Sequence, residues 1–234
     1  MISKFYWLLL LLPMATSALA QPAPHVEPGR LRAILETESG VAGTQAGEFG
    51  MWGDDREVLT LALGKSMETV PAGTDMHFRI GGISEMFLAT LTMRLVEEGL
   101  LRLEDPLARW FPDLPSADQV NLGMLLANTG GYPDYVRQEA FIEAATRQPY
   151  RSWRVEELLA FALGPGKMNF SPGTSQAYSH TEYLLLGEVL ARQTGLSMAE
   201  LYRRYVLEPA GLEHTELPLD QEIRPPYCTR SAAT

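Results

Sequence analysis

The chain has 234 residues, of which 46% are hydrophobic and 21% are charged, ordinary values for one globular domain with a substantial core. Its formal net charge of −10 disfavours binding to nucleic acid and to anionic lipid headgroups. The four histidines show neither HExxH nor Cys/His ligand spacing, so no metal centre is predicted. Cys228 is the only cysteine, which excludes an internal disulfide and leaves either an interchain bridge or a bystander thiol.

The first twenty residues are predicted to be a secretory signal peptide. Lys4 provides the basic end, and residues 5–12 form an apolar run too short to span a bilayer. Residues 18–20 read Ala-Leu-Ala, a small-x-small cleavage site before Gln21. A membrane anchor is the alternative interpretation of this segment. We expect a secreted or periplasmic chain of residues 21–234 with a net charge of −11 and no stable membrane span.

The predicted elements run from one helix, through two strands, to a long and mostly helical block. Leu31, Ile34 and Leu35 recur at helical spacing. A long helix is expected to begin near Gly82, and Gly99 suits the position that follows its C-terminus. The predicted helices are 29–39, 82–98, 103–110, 121–128, 137–147, 154–163, 181–194 and 197–206, and the predicted strands are 44–52 and 57–63. Since neither repeats nor a clear linker divide residues 21–234, they are predicted to form one domain.

One segment is the most informative about function. Residues 78–87 read Phe-Arg-Ile-Gly-Gly-Ile-Ser-Glu-Met-Phe. They resemble the active-site segment of the penicillin-recognising serine hydrolases, the β-lactamase-related family, which reads F-R-I-G-S-x-S/T-K-x-F. In that family the Ser is the acylated nucleophile, and the Lys one helical turn later helps to take its proton. Here Gly82 stands at the Ser position and Glu85 stands at the Lys position.

Further segments resemble the same family in the same order, which makes a chance match improbable. They are residues 99–106, which resemble E-G-x-L-x-L-D-D-P; 124–135, which resemble L-L-T-H-T-S-G-L-P-D-Y; 170–173, F-x-P-G; 178–180, Y-S-N or Y-A-N; 183–187, Y-x-L-L-G; and 209–215, P-L-G-M-x-x-T.

The resemblance implies an α/β (α+β) fold of the β-lactamase/DD-peptidase type. Helices cover an antiparallel sheet, an all-helical region is inserted between the early and late strands, and the site lies between the two parts. Family members continue beyond the P-L-G-M-x-x-T segment with three strands, one of which carries K-T-G or H-x-G. Because the sequence ends at Thr234, we expect a partial domain that is C-terminally truncated and encodes only the two early strands.

The resemblance also assigns roles to individual positions. Gly82 offers no side chain for acylation, and Glu85 reverses the charge that lowers the pKa of the nucleophile. Tyr178 matches the family's proton-shuttling Tyr, with a buried structural aromatic as the alternative. His180 replaces an Asn that contacts substrate amide groups, and one of its ring nitrogens can still form a hydrogen bond. Ser84 lies about 200° around the helix from Gly82, so it is expected to point away from the site.

Other polar residues are predicted to be structural. Asn128 and Thr129 are expected to brace their loop rather than to take part in catalysis. Lys65 and Lys167 lack the spacing of a general base and are expected to be solvated surface residues.

Three functions remain open from the sequence. The first is a catalytically degenerate or truncated family member, a pseudoenzyme, favoured by the joint loss of Ser, Lys and the late-strand motif. The second is a non-hydrolytic binder of small-molecule, peptidoglycan-like or ester ligands. The third is an active β-lactamase, D-amino-acid peptidase or carboxylesterase with altered chemistry, in which Glu85 activates water. No metal or organic cofactor is implied, and the oligomeric state is open.

Overall fold

A computed structural model describes residues 27–53, 56–67, 69–164 and 166–218 of the chain. These residues form two compact units that divide between Thr74 and Asp75. The predicted signal peptide and Cys228 lie outside the described residues, so both remain predictions.

The first unit contains one helix and a small antiparallel sheet. Helix α1 is Pro28–Val41, and the strands β1 (Ala46–Gly53), β2 (Arg56–Met67) and β3 (Val70–Pro71) lie in the order β1-β2-β3. Both long strands were predicted, but β2 extends beyond its predicted end at residue 63 in order to pair with β3. No strand was predicted at β3, because two residues are too few to show alternation. Its proline stands in an edge strand, where a missing N–H is tolerated.

A glycine fixes the point where β1 and β2 meet. Gly64 pairs with Ala46 and has a φ of +77°, a conformation that L residues rarely adopt. A Cβ atom built there would lie 2.0 Å from the carbonyl oxygen of Gln45, so the close approach of the two strands requires glycine.

The second unit is predominantly helical, as predicted. Its α-helices are α2 (Ser84–Glu97), α3 (Leu122–Leu126), α4 (Glu139–Arg147), α5 (Val155–Leu163), α6 (His180–Thr194) and α7 (Met198–Tyr202). Short 3-10 turns cover Gly81–Ile83, Leu107–Arg109 and Tyr135–Arg137, and a π-helical turn, Arg203–Leu207, continues α7.

Two predicted helices are shorter than the sequence indicated. The expected helix at 103–110 is only the 3-10 turn Leu107–Arg109, which follows Pro106. The expected helix at 121–128 is α3, and Asn121 caps it by accepting a hydrogen bond from the Met124 N–H at 2.9 Å. The end of the long helix is confirmed: Gly99 has a φ of +70°, and the Leu100 N–H closes the last turn on the Leu95 carbonyl at 3.0 Å.

The core of this unit packs α2 against α6. Leu91 and Leu95 of α2 and Leu186 and Leu190 of α6 are fully buried, each pair four residues apart on one helix face. Burial of each such side chain contributes about 1.5–3 kcal/mol relative to exposure. A Cβ atom at Gly187 would lie 3.9 Å from Leu88, which shows how closely the helices approach. This packing fixes the N-terminal ends of α2 and α6 with respect to each other.

Taken together, the described residues have a mixed α and β structure with a small antiparallel sheet. Within them, every helix is too short or too polar to cross a membrane.

Candidate active site

Gly82 lies in the 3-10 turn that leads into α2 and is exposed. A Cβ atom built on Gly82 would have no neighbour within 4 Å, and its φ lies outside the left-handed range. The position therefore has room for a side chain such as serine but presents no nucleophilic group.

Glu85 and Tyr178 meet across the ends of two helices. Glu85 is in the first turn of α2, and Tyr178 lies two residues before α6. The phenol of Tyr178 donates a hydrogen bond to Oε1 of Glu85. This hydrogen bond is the main reason that the pKa of Tyr178 is raised to about 12, with burial and the charge of Glu85 acting in the same direction. Near neutral pH Tyr178 therefore keeps its proton.

His180, the first residue of α6, extends the contact to a second carboxylate. Its Nε2 lies 3.3 Å from Oη of Tyr178, and its Nδ1 lies 3.1 Å from Oδ2 of Asp134. Asp134 is only 5% exposed, whereas His180 and Tyr178 are about 40% exposed. Glu85, Tyr178, His180 and Asp134 form an unbroken chain of polar contacts, which we call the polar chain.

Asp134 was not singled out in the sequence analysis, although it is the Asp of the family's P-D-Y segment. It caps the 3-10 turn Tyr135–Arg137 by accepting a hydrogen bond from the Val136 N–H at 3.1 Å. Nε of Arg137 lies 3.7 Å from its Oδ2. These contacts fix the carboxylate against His180.

The segment that carries Tyr178 and His180 is braced by Asn128. Oδ1 of Asn128 accepts a hydrogen bond from the Ser179 N–H at 2.9 Å, and its carbonyl accepts one from Ala177 at 3.1 Å. The carbonyl of Thr129 accepts a hydrogen bond from the Gly173 N–H at 2.9 Å. The prediction that Asn128 and Thr129 brace their loop is confirmed.

The buried carboxylate of Glu182 also holds the loop that contains Asn128 and Thr129. Glu182, in the first turn of α6, is fully buried and accepts hydrogen bonds from the backbone N–H groups of Gly130, Gly131 and Tyr132 at 2.8–3.1 Å. Burial raises the pKa of Glu182 to about 7, although the three N–H groups favour its ionised form. The sequence analysis missed this role because a Glu in a first helical turn is ordinarily an exposed partner of the helix dipole.

The remaining sequence candidates are not members of the polar chain. Lys65 on β2 and Lys167 in the loop before α6 are both exposed, as predicted for solvated lysines. Ser84 is exposed at the first position of α2. In the part of the chain that the structure describes, no group of three or more His, Cys, Asp or Glu side chains is arranged to hold a metal ion.

Comparisons with known proteins agree with the resemblance of the motifs. The family model described as Beta-lactamase matches residues 31–233. The chain is 28% identical over 193 residues to penicillin-binding protein 4 of Amycolatopsis lactamdurans, covering 80% of this chain and 48% of that protein. It is 25% identical over 142 residues to the D-alanyl-D-alanine-carboxypeptidase/endopeptidase AmpH of Escherichia coli K12, covering 60% of this chain and 37% of that protein.

A solved structure supports the same relationship. The D-amino acid amidase from Ochrobactrum anthropi SV3 superimposes with a TM-score of 0.67 and 27% identity, covering 78% of this chain and 52% of the amidase. The chain thus spans less than half the length of the two curated relatives and about half of the amidase. Because the family model covers most of its residues, this chain belongs to the beta-lactamase family of serine-hydrolase-like proteins.

Proposed function

We propose that this chain is an exported member of the beta-lactamase family that is catalytically degenerate as a serine hydrolase, because it forms no acyl-enzyme at the family's nucleophile position. The most direct support is the hydrogen bond that Tyr178 donates to Glu85, together with the absence of a side chain at Gly82, three residues before Glu85. Gly82 and Glu85 lack the side chains that covalent catalysis in this family requires, and Tyr178 donates its proton to Glu85.

The electrostatics at these positions oppose nucleophile activation. A lysine at position 85 would place a cation beside the phenol and favour phenolate, whereas Glu85 places an acceptor there. The pKa of Tyr178 is consequently raised to about 12, so the group that shuttles protons in intact relatives holds its own proton here. Gly82 could not be acylated even if the base were restored, since it has no side-chain oxygen atom.

A non-hydrolytic binder of peptidoglycan-like or ester ligands is the second candidate function. It is supported by the partial exposure of Tyr178 and His180, both of which are about 40% exposed. Relatives named for D-alanyl-D-alanine carboxypeptidase and D-amino acid amidase activity suggest a ligand that contains a D-amino acid. Isothermal titration calorimetry with a purified muropeptide tests this function: saturable binding that His180→Ala weakens supports it, and absence of heat argues against it.

The loss of covalent catalysis is tested by labelling the purified chain with a fluorescent penicillin. We expect no covalent label on the wild type, on Gly82→Ser or on Glu85→Lys. The double variant Gly82→Ser/Glu85→Lys tests which positions are responsible, since it restores both family residues. A stoichiometric adduct on the wild-type chain, located by mass spectrometry, would overturn the proposal.

Export is a separate proposal with its own test. N-terminal sequencing of the chain recovered from the periplasm or medium should begin at Gln21 if the signal peptide is cleaved as predicted.

A further inference from the structure

The polar chain has three contacts between neighbouring side chains, but a phenol and a neutral imidazole supply only two protons to form hydrogen bonds there. Asp134 as a carboxylate can only accept, so Nδ1 of His180 must carry a proton toward it. Tyr178 has one proton, which it donates to Glu85. If His180 is neutral, its Nε2 then presents a lone pair to another lone pair on Oη of Tyr178, 3.3 Å away.

A single additional proton satisfies every contact, and it can be placed in two ways. It can reside on Nε2 of His180, which then donates to Tyr178 while Tyr178 donates to Glu85. Alternatively, it can reside on Glu85, which then donates to Tyr178 while Tyr178 donates to Nε2. The two arrangements interconvert by moving two protons along existing contacts, so the geometry allows His180 and Glu85 to share a proton through Tyr178.

His180 is the residue that makes this sharing work. At the same position intact relatives have Asn, whose amide neither gains nor loses a proton in this pH range. Asp134 orients the imidazole, as a carboxylate does for a catalytic histidine. The polar chain therefore differs from the family's active site by gaining an imidazole at position 180, and not only by losing the Ser and the Lys.

The space beside Gly82 supplies a place for a reactant. Nothing lies within 4 Å of a Cβ atom built at Gly82, where intact relatives carry the serine side chain. Gly82 and Glu85 are three residues apart at the N-terminal end of α2, so they lie on the same face of the helical segment. A water molecule in this space would lie beside the Glu85 carboxylate.

We propose that the polar chain is a general base that activates water beside Gly82 for direct hydrolysis of a carboxylic ester, without a covalent intermediate. In the arrangement with the additional proton on His180, water attacks the carbonyl carbon, its proton passes to the Glu85 carboxylate, and the carbonyl electron pair moves to oxygen. The tetrahedral intermediate then collapses, the C–O bond to the alcohol breaks, and the leaving oxygen takes back the proton. The products are a carboxylic acid and an alcohol, and no other reactant is needed.

This inference goes beyond the proposed function, which concerns only the covalent route. Glu85 is the catalytic residue because it would touch the reacting water. Tyr178, His180 and Asp134 act through Glu85 by holding and sharing its proton, so they are positioning residues.

Other ionisable groups surround the polar chain. Nε of Arg137 lies 3.7 Å from Oδ2 of Asp134. Burial raises the pKa of Tyr135, with a contribution from Asp134, and burial raises the pKa of Tyr183, with a contribution from Glu85. The two tyrosines therefore stay protonated near neutral pH.

The test is steady-state hydrolysis of p-nitrophenyl acetate by the purified full chain. We expect turnover above a heat-denatured control, without a burst and without an ester adduct in the mass spectrum. Glu85→Gln should lower kcat by about 100-fold, the lower end of the usual contribution of a general base. Tyr178→Phe and His180→Asn should lower kcat by about 10-fold each with KM unchanged, because the proton path is broken while the substrate space remains.

Two controls separate proton transfer from folding. Glu143→Gln, on the exposed face of α4, and His214→Asn, in an exposed loop, make the same chemical changes away from the polar chain and should leave kcat unchanged. A slower rate in D2O than in water is expected for the wild type, and His180→Asn should reduce this isotope effect, which a purely structural role would not change.

The inference is overturned by a wild-type rate equal to the denatured control, or by unchanged turnover in folded Glu85→Gln. Either result leaves the absence of penicillin labelling intact, so the two proposals fail separately. An initial burst accompanied by an ester adduct would overturn both.

Discussion

The side-chain oxygen of Asn128 accepts the backbone N–H of Ser179, joining two segments that are 51 residues apart in sequence. Ser179 is fully buried and lies between Tyr178 and His180. Asn128 itself has a φ of +55°, a conformation that asparagine tolerates better than most residues. One residue thus determines both the turn of its own loop and the placement of the site segment.

Replacement of Asn128 should separate these two roles. Asn128→Ala leaves the Ser179 N–H without its partner and places a Cβ-bearing residue in the left-handed region, so we expect a loss of about 2–4 kcal/mol in the free energy of unfolding. Asn128→Gly also loses the hydrogen bond but relieves the backbone strain, and it should be less destabilised by about 1 kcal/mol. Urea denaturation of both variants measures the difference, and equal losses would mean that backbone strain is negligible.

Gly131 and Gly82 should respond very differently to substitution by alanine. Gly131 has a φ of +89°, and a Cβ there would lie 2.4 Å from the carbonyl oxygen of Phe170. Gly131→Ala should therefore cost about 2–4 kcal/mol in the free energy of unfolding, from strain and steric overlap. Gly82→Ala meets no neighbour within 4 Å and should change stability by less than about 1 kcal/mol.

Thermal denaturation of the two alanine variants provides the comparison. A stable Gly82→Ala also shows that the Gly82→Ser variant used for penicillin labelling is interpretable. A melting temperature of Gly131→Ala equal to that of the wild type would contradict the close approach of Gly131 to Phe170.

Helices α2 and α6 could be predicted from sequence because their buried leucines recur every three or four residues for several turns. The predicted starts of both helices lie within two residues of the observed ones. Strand β3 and the π-helical turn after α7 could not be predicted, since neither is long enough to establish a period. Their formation depends on tertiary pairing rather than on local pattern.

The candidate site could be predicted only in part. The positions of Gly82, Glu85, Tyr178 and His180 came from family resemblance, and their functional roles remain predictions. The contributions of Asp134 and Glu182 depend on contacts between residues about 50 positions apart, which no local spacing encodes. A buried Glu in a helical first turn looks the same in sequence as an exposed one, because burial is decided by what packs over it.

Removal of the Glu85 charge should lower the pKa of Tyr178. The hydrogen bond to Glu85 is the main cause of the raised pKa of Tyr178, so Glu85→Gln should lower that pKa from about 12 toward the ordinary 10. Glu85→Lys should lower it further, since a cation favours phenolate. Phenolate absorbance titrations, each compared with the matching Tyr178→Phe background, isolate this residue from the other tyrosines.

The control for this titration is Glu143→Gln, which removes an exposed carboxylate from α4 and should leave the Tyr178 titration unchanged. An unaltered Tyr178 titration in Glu85→Gln would show that burial, rather than the hydrogen bond, sets the pKa.

Glu182 should make the free energy of unfolding fall as pH rises, which is opposite to the effect of a carboxylate whose pKa is lowered on folding. Its pKa is raised from 4.5 to about 7 in the folded state, so between these values the folded chain holds a proton that the unfolded chain has released. The free energy of unfolding contributed by Glu182 is therefore greatest below about pH 4.5 and falls until the folded pKa is passed. A shift of this size corresponds to a loss on the order of 3 kcal/mol.

Urea denaturation between pH 4.5 and pH 8 measures this dependence, with Glu182→Gln as the reference because its side chain does not titrate. The difference in the free energy of unfolding between wild type and variant should fall with rising pH and level off above about pH 7. Subtraction removes the opposite contributions of carboxylates whose pKa is lowered, such as those of Glu157 and Glu200. A difference that instead rises with pH would show that the three backbone N–H groups outweigh burial and keep Glu182 ionised in the folded chain.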